Sequence, residues 1–398
     1  MSEQGLDMSS SYPRLPLAEV LDFREGPGIL AKDFVSEGTP LIRLSGTKVG
    51  SDLLEGCNYL DPDVVDRRWS QFRLAEGDVL LSTSASLGEV AVVKSSGVGA
   101  VPYTGLIRFR PAGSGIAAEF IEYALRSSDF KAQIEAMGVG SVMKHFGPSH
   151  LRQMYITVPP VADQRAIAEV LGALDDKIAA GDEVVRRCDE LASTYFRAML
   201  RGKDGQTVPL SDLARFVNGG AYTKGASGSG KVVVRIAELN SGIGGSTVYS
   251  DREVEIDQTV LPGDLLFAWS GSLTVHRWFR DPAIVNQHIF KVIPDRGSPM
   301  WLVNQALRAK LDDFKATAAD KATTMGHIQR RHLDELVRIP GPSDIAAFDA
   351  AMSGLWSRAL AAEQESLRLA ATRDALLPAL MSGRLTIRDA ERLVSDVT

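Results

Sequence analysis

The sequence is poor in sulfur, with two cysteines, Cys57 and Cys188, in 398 residues. Two thiols are too few for a disulfide framework or a four-thiolate zinc site. Its six histidines include no His-Glu-x-x-His pair, so no zinc-protease signature is present. No apolar run approaches the roughly 18 residues of a membrane span. The first dozen residues are polar and lack both an arginine and an apolar core, which leaves no signal or transit peptide to expect. A soluble cytoplasmic protein, away from membranes, is the expectation. An excess of basic charge is missing too: 44 Lys and Arg stand against 50 Asp and Glu, a net −6. Nucleic-acid binding, if any, must then be local or shared with a partner.

Catalytic signatures are equally scarce. Gly225–Lys231 comes nearest to a phosphate-binding loop, but its glycines are wrongly spaced and no Ser or Thr follows Lys231, so it reads as a surface loop. There is no Asn/Asp-Pro-Pro-aromatic run of the amino-methyltransferase kind; Val158-Pro159-Pro160-Val161 reads as a turn into a helix. Asp61 and Asp63 flank Pro62 in what reads as a solvated turn, with no lysine at nuclease-like spacing. A stand-alone enzyme is not indicated.

What the chain does have is itself, twice. Pro16-Leu17-Ala18-Glu19 and Phe23 return as Pro209-Leu210-Ser211-Asp212 and Phe216. Gly77-Asp78-Val79-Leu80-Leu81 returns as Gly263-Asp264-Leu265-Leu266-Phe267. Met143 and His145 answer to Met325 and His327, His150-Leu151 to His332-Leu333, and Ala198–Gly202 to Ala379–Gly383. The offset drifts from about 193 to about 181 residues, as loops of different length on one scaffold would produce. Such a period is too long for a solenoid and indicates a duplicated domain.

Each copy begins with short β-rich runs between Gly, Ser and Pro turns and ends in a long helix. From Ala162 to about Leu200 no proline occurs, and Ile167, Leu171, Leu174, Ile178, Val185 and Tyr195 fall at alternating spacings of four and three, with Gly181 and Cys188 between them. That is a coiled-coil seam. The second copy offers Phe348, Met352, Leu355, Leu369 and Leu376 with polar Ser366 and Arg373 in the same series, a weaker seam. Pro378 predicts a kink or early end there. Each helix, at some 35 residues and 1.5 Å per residue, is about 50 Å long. The expected fold is α+β: two duplicated domains separated by two long antiparallel coiled-coil helices, with pseudo-two-fold symmetry. The boundaries read as a disordered N-terminus over 1–12, a first domain over 13–158, a central helix over 159–203, a second domain over 204–340, a distal helix over 341–388 and a C-terminal tail over 389–398.

Candidate binding residues gather where strands end. Ser84 and Ser86 in the first copy, and Trp269 and Ser270 in the second, stand in small-residue turns that permit close approach. Ser141, Lys144 and His145 correspond to Lys321, Thr323, Thr324, His327 and Arg330, in loops before the last strand. Such side chains suit phosphates and base edges; a polar connection whose Met and His pack beneath the domain is the alternative. Asn286-Gln287-His288 could read adenine through amides or bond the backbone at a strand start. Tyr103 and Lys224 complete the set. Residues 13–158 carry 15 basic and 17 acidic side chains and residues 208–340 carry 16 and 14, so neither domain alone holds DNA strongly.

Two α+β domains, each closing in a strand, with Val-Pro-Pro-Val-Ala-Asp-Gln-Arg-Ala-Ile-Ala (158–168) opening a long helix, resemble the specificity subunit of Type I restriction-modification enzymes. The Gly-Asp-(Val/Leu)-Leu strands and the closing Leu-Leu-Pro-Ala-Leu-Met-Ser-Gly-Arg-Leu (376–385) fit the same family; Gly341-Pro342-Ser343-Asp344-Ile345 departs from it where a second Pro-Pro-Gln would stand. The resemblance implies a non-catalytic subunit whose domains each read half of a split double-stranded DNA target while the helices set the gap. It also implies two docked methyltransferase subunits and ATP-dependent restriction subunits, so that S-adenosylmethionine, ATP and Mg2+ belong to partners and no cofactor to this chain. A protein-binding scaffold is the competing reading.

Overall fold

Glycine and proline turns cut the first domain into strands too short to stand alone, and they pair into two four-stranded sheets. The computed structural model describes residues 12–47, 52–84, 87–137, 146–202, 204–295, 297–320 and 326–397. Contacts divide the chain into two units, residues 1–179 with 369–398 and residues 180–368, so the division falls inside both long helices.

In the first unit one sheet runs Leu21–Glu25, Leu106–Pro111, Val79–Ser82, Val90–Val92, all antiparallel. The other runs Phe34–Val35, Asn58–Leu60, Thr39–Ile42, Val101–Pro102, the last pair parallel. Arg14–Pro16 pairs with Tyr155–Thr157 and joins the two ends of the domain. Phe109, Phe120, Phe130 and Leu151 fill the core, and Leu171 and Leu174 of the central helix (Val161–Met199) and Leu369 and Leu376 of the distal helix (Pro342–Met381) belong to the same cluster. Hydrophobic burial thus fastens the helices to the domain.

The second unit repeats this plan. Ala214–Asn218, Ile289–Pro294, Leu265–Ala268 and Thr274–Arg277 form the first sheet in the same order. In the second sheet, Lys231–Val234 lies parallel to Ala283–Val285 as Thr39–Ile42 lies to Val101–Pro102, but the edges differ. Thr259–Val260 extends it on the Ala283–Val285 side, and no counterpart of Phe34–Val35 pairs with Tyr249–Ser250 among the described residues. Gln206–Pro209 with Leu336–Ile339 closes the domain. Ala192, Phe196, Met199 and Met352 from the helices complete its core. Tyr195 meets Phe348 at 5.8 Å between ring centroids, and an ideal Cβ on Gly181 would lie 2.5 Å from Ser366 Oγ, so the two helices run antiparallel here.

Two motifs and one pair of glycines acquire causes. Gln164 is fully buried: its Oε1 accepts the Ala117 N–H at 2.7 Å, and its Nε2 donates to Pro159 O at 2.8 Å and Gly115 O at 3.0 Å. Three of the four hydrogen-bonding positions of the amide are used to hold the helix start against a loop. In Gly-Asp, the glycines adopt φ of 83° and 94°, and each aspartate accepts a backbone N–H across its turn, from Ala75 to Asp78 and from Leu261 to Asp264. Each then holds a cation from the neighbouring strand, Arg110 in one unit and Lys291 in the other. Gly26 and Gly219 lie so close to the adjoining strand that a Cβ would stand 2.1 Å from Pro102 O and 2.2 Å from Val285 O.

Three expectations are corrected. Residues 387–397 form a helix, not a tail; Ala390 is fully buried in the first unit's core, with Leu385, Ile387 and Val394 against it. Of the two outcomes expected at Pro378, an early end does not occur, for the distal helix continues to Met381. Asp61 is the N-cap of a helix, Pro62–Arg68, its carboxylate accepting the Asp63 N–H at 2.8 Å.

Candidate nucleic-acid interface

In both units the ends of the central strands meet a tight connection between the parallel pair and the long antiparallel strand. That connection is Tyr103-Thr104-Gly105 in the first unit and Asn286-Gln287-His288 in the second. Gly105 takes φ 88° and His288 φ 73°, the latter a left-handed conformation that an L side chain adopts at a cost. Beside the connection, Thr83 O accepts the Phe146 N–H at 3.1 Å and Trp269 O accepts the Ile328 N–H at 3.1 Å, so the chain returns to the same corner in both copies.

The second unit's corner is aromatic. The Trp269 ring lies 5.0 Å from His288, 5.8 Å from Phe290 and 6.5 Å from His327, and its Nε1 donates to Asn218 Oδ1 at 2.9 Å. Gln287, His288 and His327 are exposed around it, as are Lys224 and Arg330. Asn286 is not: it is 6% exposed and its Oδ1 accepts the Tyr222 N–H at 3.1 Å. Of its two sequence readings, backbone bonding is the one observed. Ser270 is likewise buried, bridged to His327. Tyr222 donates its hydroxyl to Gln258 and lies under Arg252, whose guanidinium carbon is 5.8 Å from the ring centroid.

In the first unit the corner holds a cavity of about 560 Å³. Ser84 and Tyr103, both expected from the sequence, line it, together with Arg43, Ser45, Asn58 and Thr104, which sequence reasoning missed. Superposing Leu-Ile-Arg-Leu (41–44) on Val-Val-Arg-Ile (233–236) would have drawn attention to Arg43. Ser86, Ser141, Lys144, His145, Lys321, Thr323 and Thr324 lie outside the described residues. No group of three or more His, Cys, Asp or Glu that could hold a metal occurs among the described residues, and no helix there is long and apolar enough to cross a membrane.

The helix-facing residues sit elsewhere. Ile167, Leu171, Leu174, Met352, Leu369 and Leu376 are buried, whereas Ile178, Val185, Tyr195, Phe348 and Leu355 are half-buried. The polar members of the series have partners: Ser366 bonds Asp182, and Arg373 Nη1 donates to Asp175 Oδ1 at 2.5 Å.

A domain built twice, each copy braced by stretches of two long helices and presenting a polar, aromatic corner at its strand ends, defines a duplicated α+β scaffold. Residues 16–183 match the family described as Type I restriction modification DNA specificity domain. The chain is 22% identical over 206 residues to the Type I restriction enzyme MjaVIII specificity subunit of Methanocaldococcus jannaschii, covering 51% of this chain and 48% of that one. To the EcoBI specificity subunit of Escherichia coli it is 24% identical over 198 residues, 48% of this chain and 41% of that one. These matches span about half the length of the curated relatives. In fold it resembles the crystal structure of the Type-I restriction-modification system S subunit from M. genitalium, with TM-score 0.53 and 15% identity over 95% of this chain and 98% of that one. Residues 16–183 are thus similar to a Type I DNA specificity domain, and the fold as a whole is similar to that of an S subunit.

Proposed function

We propose that this chain is the DNA-reading and scaffolding subunit of a Type I restriction-modification complex and is itself non-catalytic. Each domain reads one half of a bipartite target in double-stranded DNA, and the two long helices set the distance between the halves. The same helices dock two methyltransferase subunits, which bind S-adenosylmethionine and modify adenine; restriction subunits join them with ATP and Mg2+. The complex works in the cytoplasm. The observation that carries this reading is the repeated corner: one backbone plan, built twice, with Tyr103-Thr104-Gly105 in one copy and Asn286-Gln287-His288 in the other. Equal frames with unequal side chains suit two different half-sites, since base edges are told apart by donor and acceptor pattern. With a net charge of −6 the subunit needs partners to supply phosphate contacts.

The test is footprinting of the chain with its methyltransferase partner on DNA that the complex methylates. Two protected half-sites separated by a fixed unread gap are expected. Absence of sequence-selective protection would return the chain to the protein-binding scaffold reading.

A further inference from the structure

The two corners treat an equivalent arginine in opposite ways. Arg235, after strand Lys231–Val234, is consumed: its Nη2 donates to Glu238 Oε1 at 2.6 Å and to Ser246 O at 2.7 Å, and its Nε to Glu238 Oε2 at 3.0 Å. Arg43, at the same place after Thr39–Ile42, has no carboxylate within ion-pair distance among the described residues. Its guanidinium carbon instead lies 3.9 Å from the Tyr103 ring centroid, on the wall of the 560 Å³ cavity. A guanidinium stacked on an aromatic face keeps its N–H donors in plane and directed outward as a rigid fork. Around it, Ser45, Asn58, Ser84 and Thr104 supply neutral hydroxyls and an amide. Ser45 Oγ donates to Glu55 O at 2.7 Å and Thr104 Oγ1 to Glu25 Oε1 at 3.3 Å, so two of these walls are themselves held in place.

We propose that Arg43, braced on Tyr103, reads a guanine edge in the half-site of the first domain. The inference rests on the DNA-reading assignment above and adds the residue and the base. Guanine presents O6 and N7 as two adjacent acceptors, which match the fork of one arginine. A phosphate is the other partner an arginine fork accepts, but no second cation lines this cavity among the described residues, and the neutral groups suit base edges. At the equivalent position of the second domain, Arg235 is occupied by Glu238.

The experiment maps methylated adenines in a random-sequence library treated with the full-length chain in its methyltransferase complex, for the natural protein, Arg43→Gln and Arg43→Lys. Both variants are expected to lose preference at one G·C pair of one half-site by about 10- to 100-fold, with the other half-site unchanged as an internal sign of correct folding. Unchanged preference overturns the proposal. So does a uniform weakening across all sequences with a shallower salt dependence, the mark of a phosphate contact. If Arg43→Gln yields no methylation, Arg43→Lys, which keeps the charge and loses the fork, decides: retained guanine preference overturns the role. A natural complex without a bipartite motif would sink the DNA-reading assignment itself; a bipartite motif indifferent to Arg43 sinks only Arg43.

Discussion

In each unit the joint between domain and helices is built around an arginine, which stands on opposite sides of the joint in the two copies. In the first unit Arg373 stands on the distal helix and reaches Asp175 of the central helix; the domain joins through Tyr123, whose hydroxyl donates to Asp175 Oδ2 at 3.0 Å. Burial and the Asp175 charge hold that phenol well above its ordinary pKa, so it remains a donor. In the second unit the arginine belongs to the domain. Arg277, 3% exposed at the end of strand Thr274–Arg277, donates to Glu363 at 2.7 and 3.0 Å and to Asp189 at 3.3 Å, with Trp356 stacked 4.6 Å away. Duplication kept the position of the joint and not its chemistry. The second joint is the drier one, and more depends on a single side chain.

That contrast predicts unequal damage. Arg277→Ala leaves Glu363 and Asp189 facing each other without their cation and is expected to cost about 3–5 kcal/mol, the range for breaking a buried pair from one side. Arg373→Ala should cost roughly 1 kcal/mol, because Arg126 still lies 3.7 Å from Asp175. Hydrogen exchange resolved over residues 13–158 and 208–340 measures both; equal losses would remove the distinction between the joints.

The second sharpening is by acid. Burial, and then the charges of Arg277, Arg308 and Arg280, hold the His276 imidazole down at about 4 against an ordinary 6.5. Between those values the unfolded chain binds more protons than the folded one. Stability is therefore complete above about pH 6.5 and falls as pH drops toward 4, by up to roughly 3 kcal/mol. Urea unfolding at pH 7 and pH 5 should show this loss in the second unit, and His276→Gln should reduce it.

The glycines test sameness rather than difference. Gly26→Ala and Gly219→Ala each push a methyl into a carbonyl of the next strand and should cost about 1–3 kcal/mol apiece, each in its own unit. The smallest effect on stability is expected at the strained corner. His288→Gly should leave the melting temperature unchanged or slightly raised, within about 1 kcal/mol, while loosening the half-site recognition proposed for the second domain. Unaltered recognition would make the strain at His288 incidental.

The duplication, the helices and the turns were readable because their causes are local and repeated. Gly77 and Gly263 supply a backbone conformation, Asp78 and Asp264 a turn acceptor, and Leu171 and Leu369 a helical face. What could not be read was pairing across distance. Nothing in Thr-Val-His-Arg (274–277) points to residues 189 and 363, and the six polar residues of the first corner come from four separate segments. The C-terminal helix escaped notice because its short sequence is amphipathic only against a core assembled elsewhere. Asn286 stayed open between two readings for a related reason: an amide can serve a ligand or its own backbone, and only the fold reveals that its Oδ1 accepts the Tyr222 N–H.

The first unit is assembled from both ends of the chain, residues 1–179 and 369–398, whereas the second is continuous. During synthesis, at about 5–20 residues per second, the intervening stretch takes roughly 10–40 s to emerge. Through that interval Leu171 and Leu174 wait without Leu369 and Leu376 to cover them. The unit translated first is therefore the last to close, and it closes only once the second has had time to form.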